Sequence, residues 1–529
     1  MAASTSESQG KLIRGLGLLD ATMIVIGSMI GSGIFIVSAR SSVLVGSPGW
    51  MLAAWALAGV LTITGALCCA ELAAMMPRAG GQYVFLREAY GPATGFLFGW
   101  SLLFVIQTGT IAAVAVAFAD FLNVLAPGVS ATNYIIAPIQ IGSYAISLST
   151  QQLVAILLIL ILTFTNTRGL KTGKFIQNTF TFTKTAALIG LILIGFALGW
   201  NKGSAAYTSS WWNPLENAGW NPGAAEPGLA VGSGFWLLML LGLAMVGPLF
   251  AQSAWNNVTF TGSEIRDPGR NLPRALLIGC GAVVLLYLLA NLVYITNLPL
   301  GRPINPAIPG DTGVPGIENP GHKVATDTMF AIFGQGGMIV MAVAIMISTF
   351  GCNNGLILAG ARIYYAMARD RLFFQRIGTV NKYHVPAVAL ITQGIWASLL
   401  ILPRTVTIEK TGPVYGNVYD QLLKYIISAD LVFYALMVGA VIVLRRKAPK
   451  AERPYRTFGY PVVPVIYIAL ALLLVLDLAY LTPATSGIGY LLVLTGIPVY
   501  FIWRRSAAPR EAFETETADA KLEGPKATQ

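Results

Sequence analysis

The sequence predicts an all-α polytopic membrane protein with twelve transmembrane helices. Hydrophobic residues make up 55% of the 529 residues and charged residues only 11%, whereas about 25% of a typical soluble domain is charged. The hydrophobic residues form many separate runs that are continuously apolar, and this pattern disfavours a β-barrel, whose strands alternate with period two.

Twelve runs are candidate spans, given that a helix needs about 20 apolar residues to cross a bilayer. They cover residues 18–39, 48–76, 92–126, 151–166, 175–200, 234–262, 274–297, 334–368, 386–403, 422–446, 462–482 and 486–504. Residues 77–92, between the second and third runs, are too polar to cross and too apolar for a free loop. We expect a short helix there, at the inner face.

Positively charged residues indicate the orientation of these spans. With the N-terminus inside, 26 of the 34 Lys and Arg residues fall on inner segments, seven fall on outer segments, and Lys184 falls within a span. Such a bias is typical of cytoplasmic segments, so both termini are predicted to be cytoplasmic. Because the net charge of +11 is largely a topology signal, no nucleic-acid partner is expected.

Few residues suggest catalysis or cofactor binding. All four cysteines lie within apolar runs, and the two histidines are far apart in loops. We therefore expect no metal site, no cofactor and no enzymatic activity. The Gly-x-x-x-x-Gly-Lys-Ser/Thr pattern of phosphate-binding loops is absent, which argues against ATP as the driving force.

Three glycines, Gly27, Gly31 and Gly33, lie in the middle of the first run, in G-S-M-I-G-S-G-I-F. Each costs a helix roughly 1 kcal/mol relative to alanine. Close helix packing is one explanation, because small residues let helices approach. A helix break is the other, because the N–H groups at the start of a second half-helix would attract a carboxylate.

The sixth run contains a matching irregularity in M-V-G-P-L-F-A-Q-S-A-W-N-N, residues 245–257. Gly247 and Pro248 predict a break there, since proline removes a helical hydrogen bond. Broken helices at corresponding positions of two halves are typical of secondary transporters built from inverted repeats. This correspondence favours breaks over packing in both runs.

These segments, with four others, resemble the amino acid–polyamine–organocation transporter superfamily over nearly the whole chain. The other four are A-E-L-A-A-M-M-P-R-A-G-G-Q-Y-V-F-L-R-E-A-Y-G (70–91), S-E-I-R-D-P-G-R-N-L-P-R-A-L (263–276), A-R-I-Y-Y-A-M-A-R-D (361–370) and R-P-Y-R-T-F-G-Y-P-V-V-P (453–464). The chain looks most like bacterial relatives of the L-type amino acid transporters. The resemblance implies the leucine-transporter fold, with five plus five inverted helices and two peripheral ones, in the cytoplasmic (inner) membrane.

The predicted organisation follows from this fold. Its segments are a disordered N-terminal tail (1–10), a first repeat (11–205), an outer loop (206–233), a second repeat (234–447), the last two spans (448–505) and a disordered cytoplasmic tail (506–529).

The resemblance also implies a substrate held between the two broken helices. The carboxylate would meet the backbone at 31–33, and the amino group would meet carbonyls near Met29, Phe250 and Ser253. Phe250 matches an aromatic residue that closes over the substrate. The family pattern often has Tyr-Asp-Gly or Tyr-Gly-Gly after Phe-Ala, where this sequence has residues 252–254, Gln-Ser-Ala. The implied substrate-binding residues in the two breaks are Met29, Ile30, Gly31, Ser32, Gly33, Phe250, Ala251 and Ser253.

Two charged residues lie deep within predicted spans. Lys184 would cost at least about 2.5 kcal/mol in the bilayer, unless it reaches the membrane surface. In relatives it occupies the place where sodium-coupled cousins bind an ion, and Ser348 and Thr349 are its candidate neighbours. A proton-carrying role is physically open. Asp430 resembles a position whose polar residue faces the substrate, where it would select side chains or titrate; an interfacial position is the alternative.

Two acidic residues near cytoplasmic span ends, Glu71 and Glu264, are expected to form inner-gate ion pairs with partners such as Arg78 or Arg266.

The function implied by the resemblance is secondary transport of amino acids, as a permease or exchanger of neutral L-amino acids working by alternating access. A cationic amino acid or polyamine transporter is the alternative; it predicts several acids in the site, where only Asp430 is found. A membrane amino acid sensor is a more distant alternative, since it would usually add a soluble domain. Exchange and proton symport both stay open, and oligomeric state is not indicated.

Eukaryotic relatives often attach to a heavy subunit through a cysteine in the loop after the third span. Residues 127–150 contain no cysteine, so no disulfide-linked heavy subunit is expected. The amino acid and the lipid bilayer are the expected partners.

Overall fold

The structure is a computed structural model that describes residues 15–77, 80–168, 173–217, 219–226, 229, 234–301, 316–317, 323–381, 383, 385–409 and 412–506. The predicted disordered tails lie outside these residues, except for Ser506.

The described residues form eighteen α-helices. Their bounds are α1 Leu18–Met29, α2 Gly33–Val45, α3 Pro48–Met75, α4 Gln82–Tyr90, α5 Pro92–Ser101, α6 Gln107–Leu125, α7 Thr150–Asn166, α8 Gly173–Leu198, α9 Ala205–Thr208, α10 Gly234–Ala244, α11 Val246–Ala251, α12 Asn257–Phe260, α13 Pro268–Asn297, α14 Val324–Arg369, α15 Ala387–Leu400, α16 Val418–Lys447, α17 Val462–Leu481 and α18 Pro483–Ser506.

Among the described residues, eight helical segments are long and apolar enough to cross a membrane, with α5 and α6 counted as one. The bent pair α1–α2 forms a ninth. Three further apolar helices, α7, α10–α11 and α15, have 10–17 residues. A polytopic helical membrane protein is therefore confirmed, whereas the count of twelve spans and the inverted repeat stay predictions.

Proline and glycine explain several helix boundaries. Proline occupies the first turn of α3, α5 and α13. A backbone N–H at this position would have no helical acceptor, so the lack of an N–H in proline costs no hydrogen bond. α2 ends at Gly46, which has a left-handed φ of 62°. Inside α14, Gly334 has a φ of 64° and interrupts the helix, at the residue where the eighth predicted span begins.

A short π-helix, Leu102–Ile106, joins α5 to α6. The wider turn leaves a carbonyl that the Thr108 hydroxyl binds: its Oγ1 donates to Leu103 O at 2.6 Å, five residues back. One polar side chain thus compensates for the backbone irregularity inside an otherwise apolar span.

Glycines allow the central helices to approach closely. A Cβ at Gly59 of α3 would lie 2.6 Å from Val284 of α13, and one at Gly279 of α13 would lie 2.6 Å from Val25 of α1. Small residues at helix contacts are typical of membrane bundles, where close backbone approach increases van der Waals contact. α13 is thereby packed between α1 and α3.

The prediction of a purely helical fold is wrong in one region. Four strands form an antiparallel sheet in the order β1 (Tyr134–Ile141), β2 (Tyr144–Ser149), β3 (Pro403–Glu409) and β4 (Gly412–Tyr415). They connect α6 to α7 and α15 to α16, so the sheet covers one end of the bundle. Extended connections outside the helices still need backbone hydrogen bonds, and pairing two of them provides these.

The short helix predicted between the second and third spans is confirmed as α4. Its first residue, Gln82, bonds Phe433 O of α16 through Nε2 at 3.2 Å. Arg87 pairs with Asp370 after α14, and Tyr83 donates to the same carboxylate at 2.7 Å. Burial, the largest single influence, lowers the pKa of Arg87, but Asp370, Tyr83 and Glu88 together outweigh burial and raise that pKa.

Glu71, in the last turns of α3, holds together three segments at one end of the bundle. Its carboxylate accepts two hydrogen bonds from Arg445 at 2.9 and 2.7 Å and one from Thr457 N at 2.7 Å. Arg453 lies 3.5 Å away. The expected ion pair of Glu71 is thus present with these arginines, while Arg78 lies outside the described residues.

Replacing Glu71 by alanine should destabilise the fold, because Arg445 and the Thr457 N–H would lose a buried acceptor. We expect a loss of about 2 to 3 kcal/mol, below the 3–5 kcal/mol typical of breaking a fully buried pair, because Arg445 is partly exposed. Thermal unfolding in detergent micelles measures it. Glu88→Ala, which removes a more exposed partner of Arg87, is the control and should change the melting temperature little. Equal melting temperatures for both variants would contradict this account.

Candidate functional site

The first helix break lies between α1 and α2. α1 ends at Met29, α2 begins at Gly33, and the two helices meet at 42°. Ile30 has an extended backbone, with φ −74° and ψ 94°. The chain therefore leaves the helical path at residues 30–32, within the predicted glycine motif.

The backbone donors at the start of α2 are unpaired. In the described part of the chain, the N–H groups of Gly31, Ser32 and Gly33 donate to no backbone or side-chain oxygen, and no side chain caps α2. The first N–H groups of any helix lack a helical partner, and the helix dipole adds positive potential there. Three adjacent donors in such a position suit a carboxylate.

Gly33 also has a packing role. A Cβ at this position would lie 2.5 Å from the Cβ of Ala251 and 2.8 Å from its Cα, closer than real atoms approach. Its backbone is not left-handed. Glycine is therefore required by the close approach of α11, so packing and a helix break coexist in this motif.

Carbonyl groups at the same break accept hydrogen bonds from side chains of α8, α13 and α14. The pairs are Gly27 O with Lys184 Nζ, Ser28 O with Cys352 Sγ at 3.7 Å, Met29 O with Tyr287 Oη at 3.0 Å and Gly31 O with Ser348 Oγ at 3.4 Å. The break thus has satisfied acceptors and unsatisfied donors, which gives it a preference for an anionic guest.

Lys184 and the two residues expected near it differ in their contacts. Lys184 is 1% exposed and donates to the Gly27 carbonyl. Ser348 reaches the break, as described above. Thr349 donates instead to carbonyls of its own helix, Ile345 O at 2.9 Å and Met346 O at 3.0 Å. Lys184 and Ser348 therefore contact the first break, and Thr349 does not.

The second break lies later in the chain than predicted. Gly247 and Pro248 are inside α11, which ends at Ala251. Residues 252–256 are not helical, Ala254 has a φ of 64°, and α12 begins at Asn257. The site of the break is therefore wrong by about four residues, although the sixth run does contain one.

The physical reason is that Pro248 interrupts its helix only at Met245, after which α11 continues to Ala251. Proline cannot bond the carbonyl four residues back, at Ala244, but the Ser41 hydroxyl of α2 donates to that oxygen at 2.8 Å. Gly247 permits the contact, since its Cβ would lie 2.6 Å from Val37. α2 and α10–α11 therefore form a tight antiparallel contact, with small residues facing each other along its length.

Phe250 and Tyr419 cover the side of the first break. The two rings pack edge to face with centroids 6.0 Å apart, and Tyr419 Oη lies 3.0 Å from Ser32 Oγ. Tyr419, in the first turn of α16, was missing from the predicted site because the tenth predicted span began at 422. Its contacts with Ser32 and Phe250 identify it.

The acceptors expected for a substrate amino group already have donors. Phe250 O accepts from Ser253 N at 3.1 Å and from Ser253 Oγ at 2.7 Å. Met29 O accepts from Tyr287. A carbonyl oxygen has two lone pairs, so Met29 O retains one for an ammonium group, whereas Phe250 O would have to exchange partners.

Asp430 lies beside the second break rather than the first. It lines a cavity of about 20 Å³ with Gln252 and Ser253. It is eleven residues beyond Tyr419 along α16, or about 16 Å along the helix axis. The cavity is far smaller than an amino acid.

Both ends of the region are closed by polar contacts. At one end, Arg40 of α2 pairs with Glu226 at 2.6 Å and with Asp420 of α16 at 2.9 Å, and Lys424 pairs with Glu226 at 2.5 Å. The Glu226 carboxylate thereby connects α2 to α16.

At the other end, the chain before α1 pairs with the chain after α12. Leu16 N donates to Glu264 O at 3.0 Å, and Arg266 N donates to Leu16 O at 2.9 Å. The Glu264 carboxylate pairs with Arg362 of α14 at 3.2 Å. The expected ion pair of Glu264 is therefore present with this arginine.

A family model described as amino acid permease matches residues 16–503 of the chain. The large neutral amino acids transporter small subunit 2 of Mus musculus is 28% identical over 504 residues, which are 94% of this chain and 83% of that protein. Its Homo sapiens counterpart is 29% identical over 493 residues, 92% and 80% of the two chains. The b(0,+)-type amino acid transporter 1 of Mus musculus is 27% identical over 508 residues, 94% and 90% of the two chains.

Gly33→Ala should lower both the melting temperature and substrate binding, because the added Cβ overlaps Ala251. Adding Ala251→Gly should restore part of the loss: it removes the 2.5 Å contact but leaves the 2.8 Å contact with the Cα. Gly31→Ala is the milder control, since its Cβ would meet Cys352 Sγ at 3.1 Å. Thermal unfolding and ligand binding in micelles measure both effects, and a fully stable Gly33→Ala would disprove the close contact.

Proposed function

The chain belongs to the amino acid permease family, and we propose that it is a secondary active transporter that moves neutral L-amino acids by alternating access. Substrate would bind between the two helix breaks, as a permease or an exchanger. The remaining parts of the proposal are twelve spans, an inverted repeat and cytoplasmic termini in the inner membrane.

The observation that carries this proposal is the set of unpaired N–H groups at residues 31–33. An anion there would lie at a helix N-terminus, next to Phe250 and close to the free lone pair of Met29 O. Donors and an acceptor side by side match the carboxylate and ammonium groups that every amino acid has in common. Ile30, Ala251 and Ser253 complete the backbone around this position.

The names of the relatives bear on the substrate class. Two of the relatives are named as transporters of large neutral amino acids, which favours neutral substrates. A cationic amino acid or polyamine transporter is the alternative. Asp430 of α16, which lies beside the second break, is the acidic residue on the wall of the cavity there that would favour it.

The proposed function is tested by reconstitution into liposomes. Labelled leucine is supplied outside, and the lumen contains leucine, another neutral amino acid, lysine or no amino acid. We expect uptake that is faster with internal neutral amino acid than with lysine. Lysine as the better internal substrate would favour the alternative, and no uptake of any amino acid would disprove the proposal.

Lys184 is proposed to control the conformational change. It connects α8 to the last turn of α1, and the bond is to a carbonyl that the helix break has freed. If α1 moves relative to α8 during transport, the ammonium group loses this acceptor in one of the two states. A bond that exists in one state and not the other shifts the equilibrium between them.

Lys184→Ala should therefore reduce the exchange rate more than substrate affinity. A hydrogen bond to a charged group is worth about 1.5 to 3 kcal/mol, and 1.4 kcal/mol is a factor of ten, so we expect at least about a tenfold slower exchange. Lys202→Ala, which alters an exposed loop lysine, is the control. An unchanged exchange rate in Lys184→Ala would show that the contact has no role in transport.

A further inference from the structure

A short segment of the connection between α8 and α10 lies beside the first turn of α3. Gly49 N donates to Trp211 O at 3.0 Å, and Trp50 Nε1 donates to Trp212 O at 3.0 Å. The rings of Trp50 and Trp212 pack edge to face, with their centroids 5.6 Å apart. The backbone of this segment is thus fixed to the end of a membrane span. We refer to residues 211–215 as the Trp212 segment.

The side of α3 that the Trp212 segment meets is the side that faces lipid. Leu57 and Val60 are exposed, and they lie seven and ten residues beyond Trp50, spacings that place all three on one face of a helix. α3 is long and apolar enough to cross a membrane, so exposed leucine and valine side chains on it contact acyl chains. Trp212 therefore lies at the membrane-surface end of a lipid-facing stripe.

The two large apolar side chains at the end of the Trp212 segment are exposed. Trp212 is 61% exposed and Leu215 is 72% exposed, whereas Pro214 between them is buried. Single exposed apolar residues are normal on any protein surface, but these two continue the stripe of α3 past the end of its helix. The position of the segment, and not exposure alone, indicates a contact with lipid.

The tryptophans around this position differ in the hydrogen bonds of their indole groups. The Nε1 atoms of Trp50, Trp211 and Trp220 each donate to a backbone carbonyl at 3.0 Å. Within the residues that the structure describes, Nε1 of Trp212 donates to no protein acceptor. An apolar ring with a free N–H at its tip lies favourably at a boundary between hydrocarbon and water. Trp212 is the member of this group that has that combination.

Electrostatic attraction does not account for a contact between this segment and a membrane. The sequence has no Lys or Arg from residue 203 to residue 265. Anionic headgroups attract clusters of basic residues, and the connection offers none. Any binding to lipid would therefore depend on aromatic and apolar contact, and it would be independent of the charge of the headgroups.

We propose that the Trp212 segment docks on the bilayer, with the side chains of Trp212 and Leu215 at the boundary between the headgroups and the acyl chains. Lipid is the occupant of this surface because the surface continues the lipid-facing stripe of α3. The inference goes beyond the proposed transport function and does not depend on it.

Docking would anchor the part of the chain that holds the end of α2. Asn217 Nδ2 donates to Gly46 O at 2.8 Å, and Trp220 Nε1 donates to Val43 O at 3.0 Å. Both acceptors are carbonyls at the C-terminal end of α2, and Glu226 forms an ion pair with the same helix. The bilayer contact is thereby connected to the half-helix whose first N–H groups form the proposed carboxylate site.

The experiment measures the depth of residue 215 in a bilayer. All four cysteines are buried, so the thiol of Leu215→Cys is the exposed one that a nitroxide reagent labels. The labelled protein is reconstituted into phosphatidylcholine vesicles. Power-saturation EPR then compares collisions of the nitroxide with oxygen, which concentrates among acyl chains, and with nickel ethylenediaminediacetate, which stays in water. Lys202→Cys, at an exposed charged position of the same connection, is the matched control.

We expect the label at 215 to collide more often with oxygen than with the nickel complex, and the label at 202 to show the reverse. Adding phosphatidylglycerol to the vesicles should change neither result, because the segment has no basic residue. Trp212→Asp in the Leu215→Cys protein should expose the label to the nickel complex, because a carboxylate is costly in hydrocarbon. Gln140→Asp, which adds the same charge to the exposed strand β1, is the control and should have no effect.

Two results with the label at 215 would overturn the proposal. Collisions with the nickel complex as frequent as those at 202 would show that the segment lies in water. Protection from both reagents would show that protein, such as a second copy of this chain, covers the surface. A label that stays in contact with oxygen in Trp212→Asp would contradict the role of Trp212 in docking.

The same samples distinguish this inference from the proposed function, because EPR requires no transport activity. A lipid-exposed label in vesicles that do not exchange leucine would support docking and contradict the transporter. Leucine exchange with a water-exposed label would support the transporter and overturn docking.

Discussion

The hydrogen bonding of the broken backbone at residues 27–33 is the constraint on which the rest of the structure depends. Irregular backbone at membrane depth is tolerated only where protein or a wet cavity satisfies it. Here the carbonyl groups are satisfied by side chains of three other helices, including Lys184 and Tyr287. The N–H groups of residues 31–33 have no acceptor among the described residues, and this asymmetry is the basis of the proposed carboxylate site.

The contact between α2 and α10–α11 has a second consequence. Gly33 and Gly247 allow the two broken runs to pack in direct contact, against Ala251 and Val37. The Ser41 hydroxyl binds the carbonyl that Pro248 cannot reach, so the interruption between α10 and α11 is confined to Met245 and α11 continues to Ala251.

Charged side chains are distributed differently in the centre and at the two ends. The ends are closed by ion pairs such as Arg40 with Glu226 and Arg362 with Glu264, whose side chains are 16–24% exposed. Partly exposed ion pairs contribute little stability individually. In the centre of the bundle, Lys184 and Asp430 are almost fully buried. A change of hydrogen-bond partner has a much larger effect on the free energy of the protein there than at the exposed ends.

The sequence by itself determined the class of the protein and the positions of most helices. Long apolar runs and scarce charge leave no alternative to membrane helices, and the glycines located the first break because glycine is costly within a helix.

Tertiary structure decided the rest. Pro248 interrupts its helix only at Met245, because Ser41 of α2, 203 residues from Ala244 in sequence, binds the freed carbonyl. Strands β1–β4 formed because two distant connections pair with each other. Tyr419 joined the candidate site through its contacts with Ser32 and Phe250. In each case the deciding hydrogen bond joins residues that are far apart in the chain, and local pattern and propensity contain no information about such partners.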